Sequence, residues 1–199
     1  MTKKILLGAV VGGIVVFIVG SLLHTVLGLG EVGVKAIPQE EALLFAMRAT
    51  VHESGFYYFP APNMAPGRSK EQVQADNAAF AARSRQEPSG ILVFTAPSGS
   101  PMNFGKLLGG EFVIDVVAAF FLACILAMGA GGKSSYWKRV FAVTLAGLFA
   151  GLFLGLEYWN WYGFPTNYTI AFIASVLLDW FFAGLAMAAI VKQPAPQLK

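Results

Sequence analysis

Four long apolar stretches alternate with polar segments along this chain of 199 residues. They run from Ile5 to Leu27, from Phe112 to Met128, from Val140 to Leu156 and from Ile170 to Val191. Each is close to the ~20 residues that an α-helix needs to cross the ~30 Å hydrocarbon core of a bilayer. The pattern therefore predicts four transmembrane helices.

The charged residues divide between the two sides that such helices would create. Threading the stretches alternately through a membrane gathers the bases of both termini and of the loop after Met128 on one side, with no acid among them. Short loops rich in Lys and Arg stay in the cytoplasm. We therefore predict that both termini are cytoplasmic. The bases on this side are Lys3, Lys4, Lys133, Lys138, Arg139, Lys192 and Lys199.

The composition agrees with a membrane protein, since 56% of the residues are apolar and only 13% are charged. The excess of basic residues lies in short cytoplasmic ends, where it orients the helices, so nucleic acid is not an expected partner. Lys3 and Lys4 before an apolar run also fit a cleavable signal peptide. However, Ile5 to Leu27 is longer than the ~7–15 residues of a signal-peptide core, and we predict a retained helix.

One large polar segment, residues 28–110, separates the first two apolar stretches. It contains two aromatic and β-branched runs bounded by Gly and Pro, which predict two short strands that can pair. A helical pattern precedes each strand, the first opened by Pro38 and the second by a capping box of Ser69 and Gln72. The predicted helices run from Pro38 to about Ser54 and from Ser69 to about Gln86, and the predicted strands cover Gly55–Phe59 and Ile91–Thr95.

These elements define the predicted fold class, an all-α membrane bundle of four transmembrane helices with a small extracytoplasmic α+β insertion between helices 1 and 2. The predicted divisions are the first membrane helix at residues 1–27, the extracytoplasmic cap at 28–110 and the remaining membrane helices at 111–192. Residues 193–199, which are short and contain proline, are predicted to be a disordered cytoplasmic tail.

Asp179 is the clearest candidate for chemistry. It lies about nine residues inside the last stretch, hence ~14 Å deep and near the bilayer centre. An ionisable residue there costs roughly 2.5–3.5 kcal/mol and is a functional-site hypothesis by default. No Lys or Arg lies inside the four stretches. Three roles for Asp179 stay open: a neutral contact between helices that Ser175, one turn away, can share, a transient proton or cation site, or the partner of another chain.

Asp115 is a second intramembrane carboxyl, a few residues below the outer end of the second stretch. With the boundaries given above, it lies several ångströms from Asp179 in depth. If its helix begins earlier, near Gly105, Asp115 approaches the level of Asp179. Two carboxyls that meet there favour sharing one proton, because like charges at close range disfavour double ionisation.

Four residues fall near the outer membrane boundary: His24, Glu157, Trp159 and Trp161. For His24 and Glu157 we predict hydrogen bonding at the interface, and a metal site made with His52, Glu31 and Glu111 on the same side is the less economical alternative. The tryptophans are explained as an interfacial belt, since aromatic side chains with polar edges settle there, and a shelf for a cofactor or quinone is the alternative. Only two histidines and the single Cys124 occur, without HExxH or paired-His spacing. The GxSxG, P-loop and GxGxxG patterns are also missing. We therefore predict no catalytic residue, no metal and no cofactor.

Small residues form a face on each of two predicted helices. Gly147, Gly151 and Gly155 repeat every four residues on the third, and Gly8 and Gly12 do so on the first. Such faces let helix backbones approach closely. They predict packing inside the bundle and leave room for docking against another membrane protein.

Several local patterns resemble a family of uncharacterised bacterial four-helix integral membrane proteins. The resemblance implies a bacterial source, the cytoplasmic (inner) membrane and the four-helix topology, and it implies no activity or site residues. The patterns are the lysines before a glycine-rich helix, His24, Gly30-Glu31, Pro38 with Glu40-Glu41, GFYYFP at Gly55–Pro60, Pro101-Met102-Asn103-Phe104 and YWNWYGFPTNYT at Tyr158–Thr169.

Two functions remain open. The first is a non-enzymatic accessory or assembly subunit of a larger membrane complex, whose partners are membrane lipids and either other subunits or a second copy. The alternative is a small oligomeric proton-coupled transporter, with Asp179 as the protonatable site and Asp115 and Ser175 beside it. Four helices are few for alternating access, so this alternative requires oligomers. An enzyme acting on lipid through His24 and Glu157 is a more distant third.

Overall fold

The computed structural model of the chain describes residues 1–128 and 134–192. Lys133, Lys199 and the predicted tail at 193–199 lie outside the described residues. The order of elements agrees with the predicted fold class, since two helices and two strands lie between the first and second long helices. The helices are α1 (Thr2–Thr25), α2 (Glu40–Thr50), α3 (Lys70–Gln86), α4 (Phe104–Met128), α5 (Tyr136–Tyr162) and α6 (Thr166–Ile190), and the strands are β1 (Gly55–Phe59) and β2 (Gly90–Phe94).

Four of the helices, α1, α4, α5 and α6, are long and apolar enough to cross a membrane. The chain is therefore a multi-pass membrane protein. All four start before the apolar stretches predicted for them. In α4 the reason is a cap, because the backbone N–H of Lys106 donates to Asn103 Oδ1 at 3.0 Å and the helix continues through Gly109 and Gly110.

The membrane helices pack in the order α4, α1, α6, α5. Helix α1 lies along both α4 and α6, and α6 lies along α5, whereas α4 and α5 make few contacts with each other. Buried side chains fill the half of the bundle that contains the start of α1 and the end of α6. They include Ala119, Ala123, Val143, Ala183 and Met187.

Glycines set the closest helix approaches. On α5, Gly147 lies directly against the Cβ and indole of Trp180, and Gly151 and Gly155 lie against Val176 and Ile173 of α6. All three glycines of this face therefore contact a neighbouring helix of the same chain.

The glycines of α1 are used in the same way. A Cβ on Gly12 would lie 2.7 Å from Met187 Sδ of α6 and 3.1 Å from Ala119 Cβ of α4. A Cβ on Gly8 would lie 2.6 Å from Val191. Lipid tails are as apolar as the side chains, so transmembrane helices are held together largely by close van der Waals packing of this kind.

Polar contacts fasten one end of the bundle, which we call the basic end. Arg139 donates through Nε to the carbonyl oxygen of Ala188 at 3.1 Å, and Tyr136 donates through its hydroxyl to Leu185 O at 3.0 Å. Lys4 Nζ donates to Lys192 O at 3.3 Å. The carbonyls at the end of α6 thus gain the donors that a helix end lacks.

Residues 35–101 form a second compact unit. Its strands pair antiparallel, with Gly55 opposite Phe94 and Phe59 opposite Gly90, as predicted, although β2 begins one residue earlier. The capping box of Ser69 and Gln72 is present at the start of α3. The predicted cap at 28–110 is longer than this unit, because residues 28–34 group with the membrane helices and α4 takes up the last residues of the segment.

The start of α2 was predicted wrongly. Pro38 lies before the helix, because Gln39 adopts a left-handed conformation with φ of 61° and serves as the N-cap. The helix then runs from Glu40 to Thr50, several residues short of Ser54. No residue of α2 or α3 is buried.

Candidate functional site

A cavity of about 690 Å³ lies among the four membrane helices. We call it the vestibule. Its lining reaches the end of the bundle opposite the basic end, at Thr25, and includes residues of both α4 and α5, which make few contacts with each other. The residues that matter below are Phe17, Gly20 and His24 of α1, Glu111 and Asp115 of α4, Gly151 and Leu154 of α5, and Phe172, Asp179 and Trp180 of α6.

The vestibule stops about halfway along the bundle. Its lining extends from Thr25, the last residue of α1, to Asp115 and Asp179, which lie near the middles of two 25-residue helices. At ~1.5 Å per residue, Asp115 is ~17 Å from the start of α4 and Asp179 is ~20 Å from the start of α6. Beyond this level the packed core closes the bundle.

Asp179 forms the floor of the vestibule. The residue is only 9% exposed, and its Oδ1 atom has no hydrogen-bond partner among the described residues. Gly20 of α1 lies opposite, so that a Cβ there would be 3.5 Å from Oδ1. An unsatisfied buried oxygen is costly, and more so when charged. The residue is therefore suited to binding a proton or a positively charged group.

Two further acids share the vestibule with Asp179. Asp115 is 7% exposed, whereas Glu111 lies one turn nearer the mouth and is exposed. Both are within electrostatic range of Asp179, as is His24. Within the part of the chain that the structure describes, no Lys or Arg lines the vestibule. The described lining thus contains three carboxyls and a single histidine.

The structure bears on the paired-carboxyl alternative through the start of α4. The helix begins at Phe104, close to the early start near Gly105 on which that alternative depended. Asp115 therefore lies deeper than the apolar stretch alone indicated. A proton shared between Asp115 and Asp179 stays a prediction.

Neither Ser175 nor His24 donates a hydrogen bond to Asp179 Oδ1. Ser175 is buried one turn before Asp179 on α6, but no hydrogen bond joins the two side chains. His24 Nδ1 lies 2.9 Å from Gly20 O of its own helix. The hydroxyl of Ser21 likewise donates within α1, to Phe17 O at 2.7 Å. None of these groups supplies Asp179 Oδ1 with a donor.

Glu157 and His24 do not come together. Glu157 lines a shallow depression on another face of α5, together with Phe149 and Asn160, while His24 lines the vestibule. Among the residues described, no three His, Cys, Asp or Glu side chains are grouped to hold a metal ion. The lipid-acting arrangement considered from the sequence is therefore not assembled.

The interfacial tryptophans occupy the hairpin between α5 and α6. Trp159 Nε1 donates to Thr166 Oγ1 at 3.1 Å, and Trp161 is 72% exposed. Gly163 makes the turn possible, since it ends α5 with a φ of 69° that glycine adopts without strain. Both tryptophans lie outside the vestibule lining.

Sequence reasoning missed the aromatic walls and the place of Glu111 in the same cavity as Asp115 and Asp179. Phe172 lies two turns before Asp179 on α6, Trp180 follows Asp179 directly, and both line the vestibule with Phe17 of α1. A signal existed for Glu111, which precedes Asp115 by one helical turn and so shares its face. The aromatic residues gave no such signal, because apolar residues surround Asp179 on every side of α6.

The fold and the site define a multi-pass membrane protein with a cavity lined by carboxyl groups at mid-span. No family model, curated protein or solved structure matches the chain. The resemblance to bacterial four-helix membrane proteins therefore stays a prediction.

Proposed function

We propose that the protein is a small oligomeric, non-enzymatic proton-coupled carrier in which Asp179 is the exchange site. The observation that carries this proposal is the unpartnered, buried Oδ1 atom of Asp179 at the floor of a cavity open to one end of the bundle. Transporter sites lie near the bilayer midplane. A proton and a substrate would each satisfy the same carboxyl, so that binding one displaces the other.

The half-depth shape of the vestibule fits one access state of such a carrier. Access from the opposite side requires the packed core around Met187 and Val143 to open. Four helices seldom suffice for that change, and a second copy would supply a moving surface. The weakly packed gap between α4 and α5 is the natural place for that surface, because each of these helices lacks a neighbour there.

The charge pattern supports an orientation for this carrier. The helix ends that meet at the basic end carry five bases, namely Lys3 and Lys4 at the start of α1, Lys138 and Arg139 at the start of α5, and Lys192 just after α6. We place this end and both termini in the cytoplasm of a bacterium, with the membrane being the cytoplasmic (inner) membrane. The vestibule and residues 35–101 then belong to the extracytoplasmic side.

An accessory or assembly subunit is the second candidate, and α2 favours it. This helix exposes Phe45 to 70% and Leu44 to 37%, and none of its residues is buried. An apolar face of this kind suits a protein partner. The glycine faces no longer support docking, since Gly12, Gly147 and Gly151 are occupied by contacts within the chain.

The carrier proposal is tested with the purified chain in vesicles. Pulses of cationic, neutral and anionic solutes would be applied while charge movement and the internal pH are recorded. We expect at least one solute class to produce a current or a pH change that Asp179→Asn removes. Glu157→Gln is the matched control, because it neutralises a carboxyl of the bundle outside the vestibule.

Two outcomes would contradict the carrier proposal. If no solute class moves charge or protons, or if Asp179→Asn behaves like the wild type, the carrier proposal is wrong. Isolation of the native protein in mild detergent then tests the second candidate. An accessory subunit should be isolated with a stable companion protein, and Phe45→Ser should weaken that association.

A further inference from the structure

The vestibule also indicates what kind of substrate it accepts. We propose that it binds an organic cation, an amine or quaternary ammonium ion with an apolar body, whose charged head lies at Asp179 and Asp115. This inference rests on the proposed carrier function, because it names the substrate class of the same site.

The charge of the ligand follows from the floor of the vestibule. Asp179 is more than nine-tenths buried, lines the cavity and has an Oδ1 atom without a hydrogen-bond partner among the described residues. Asp115 is buried to a similar extent and lines the same cavity. No Lys or Arg of the described residues lines it, and His24, the other lining group that can be cationic, has its Nδ1 2.9 Å from Gly20 O of its own helix, so the ligand is the natural source of positive charge. A buried charge is tolerated when it is paired, and these carboxyls offer that pairing.

The apolar body follows from the walls. Phe17 of α1 and Phe172 and Trp180 of α6 line the cavity with several aliphatic side chains. An aromatic face attracts an organic cation within about 6 Å, and Trp is the strongest of these faces. An inorganic cation would leave these walls unused, since Ca²⁺ takes about 6–8 oxygen ligands.

The size of the cavity limits the ligand to a small molecule. Its volume of about 690 Å³ falls within the ~300–1,000 Å³ typical of small-molecule sites. Glu111 is exposed at the mouth, where a negative charge raises the local concentration of cations. The ligand is thus attracted at Glu111 and held at Asp179.

Protons compete for the same carboxyl. The titratable groups that face Asp179 are His24 from α1 and Glu111 and Asp115 from α4, whereas the α5 lining contributes only Ala150, Gly151 and Leu154. A cation pairs with the ionised carboxyl and is displaced when that carboxyl binds a proton. Affinity for the cation should therefore fall as the pH is lowered.

Calorimetric titration of the intact chain in uncharged phosphatidylcholine nanodiscs tests this inference. The probes are benzyltrimethylammonium and neopentylbenzene, which have nearly the same shape but differ in charge. We expect the cation to bind and the neutral probe to bind at least tenfold more weakly. Asp179→Asn should lower cation affinity at least tenfold, whereas Asp179→Glu and the control Glu157→Gln should stay within about threefold of the wild type.

Equal affinity for the two probes, or unchanged cation affinity in a folded Asp179→Asn protein, overturns the inference. The probe pair needs no variant, so the test holds even if Asp179→Asn does not fold. The two proposals also fail differently. If only neutral or anionic solutes move charge in vesicles, the carrier proposal holds and the proposed substrate class is wrong. If cations bind but no solute is transported, the binding site is supported and the carrier proposal is wrong.

Discussion

Single side chains hold helix ends together in this bundle, and Arg139 is the clearest example. Arg139 belongs to α5, yet its guanidinium donates through Nε and Nη2 to Ala188 O, each at 3.1 Å, and through Nη1 to Ser134 O. One side chain thereby joins the start of α5 to the end of α6. The partial negative charge at the C-terminus of α6 favours this interaction with the Arg139 guanidinium.

Replacing Arg139 with Met should lower the free energy of unfolding by about 1–3 kcal/mol, because the change removes charge-assisted hydrogen bonds and keeps most of the aliphatic stem. The measurement is denaturation in detergent followed by tryptophan fluorescence. Lys138→Met is the matched control, since Lys138 is an exposed neighbouring base whose ammonium makes no hydrogen bond in the structure. Equal losses in both variants would contradict the role of Arg139.

The first turn of α3 gives a second test on the same scale. Ser69 Oγ accepts from Gln72 N at 3.3 Å and donates to Glu71 at 2.8 Å. Ser69→Ala should destabilise the start of the helix by about 1 kcal/mol. Hydrogen exchange of residues 70–74 in the intact chain measures this loss. Ser84→Ala should leave these amides unchanged, because Ser84 only donates to Phe80 O.

The same turn should respond to pH. The backbone N–H of Glu71 and then the Ser69 hydroxyl hold the pKa of the Glu71 carboxyl below its usual value of 4.5. A lowered pKa in the folded state stabilises the turn above pH 4.5, and this contribution is lost as the pH falls further. Protection of residues 70–74 should therefore decrease below pH 4.5, and by less in Ser69→Ala. Protection that rises on acidification would show the sign to be wrong.

Pairs of helices depend on backbone proximity. Gly147 lies against Trp180, so an added methyl group there has no space unless α5 and α6 move apart. Gly110 on α4 has nothing within 4 Å of a Cβ position. The two glycines are therefore a matched pair for testing packing.

Gly147→Ala should destabilise the protein by about 1–3 kcal/mol through overpacking, whereas Gly110→Ala should be neutral or stabilising by up to ~1 kcal/mol, because Ala favours the helix. Thermal unfolding in detergent compares them. Similar melting temperatures for the two variants would mean that the α5 and α6 contact is looser than the structure shows.

At the scale of the whole molecule, the orientation in the membrane follows from charge. In a Cys124→Ala background, a cysteine at His52 should react with an impermeant maleimide added to intact cells, and a cysteine at Thr2 should react only after permeabilisation. Both positions are exposed. Reaction of Thr2→Cys in intact cells would reverse the proposed orientation.

The number of membrane helices, the paired strands and the capping box were predictable, because hydrophobic length, alternation and capping are local properties of the sequence. Helix boundaries were less so. The start of α4 depends on the Asn103 side chain, which accepts from Lys106 N, and asparagine is as common in turns as at helix N-termini. The start of α2 depends on the left-handed conformation of Gln39, for which the sequence has no glycine signal.

The sequence by itself determined that Asp179 lies deep in an apolar helix without a basic partner on its own span, because depth and composition are linear quantities. Only the tertiary structure decided that Asp115, Glu111 and His24 surround the same cavity, and that the glycine faces are used within the chain. The reason is that helices can associate in many orders, and here it is the separation of α4 from α5 that opens a cavity onto Asp179.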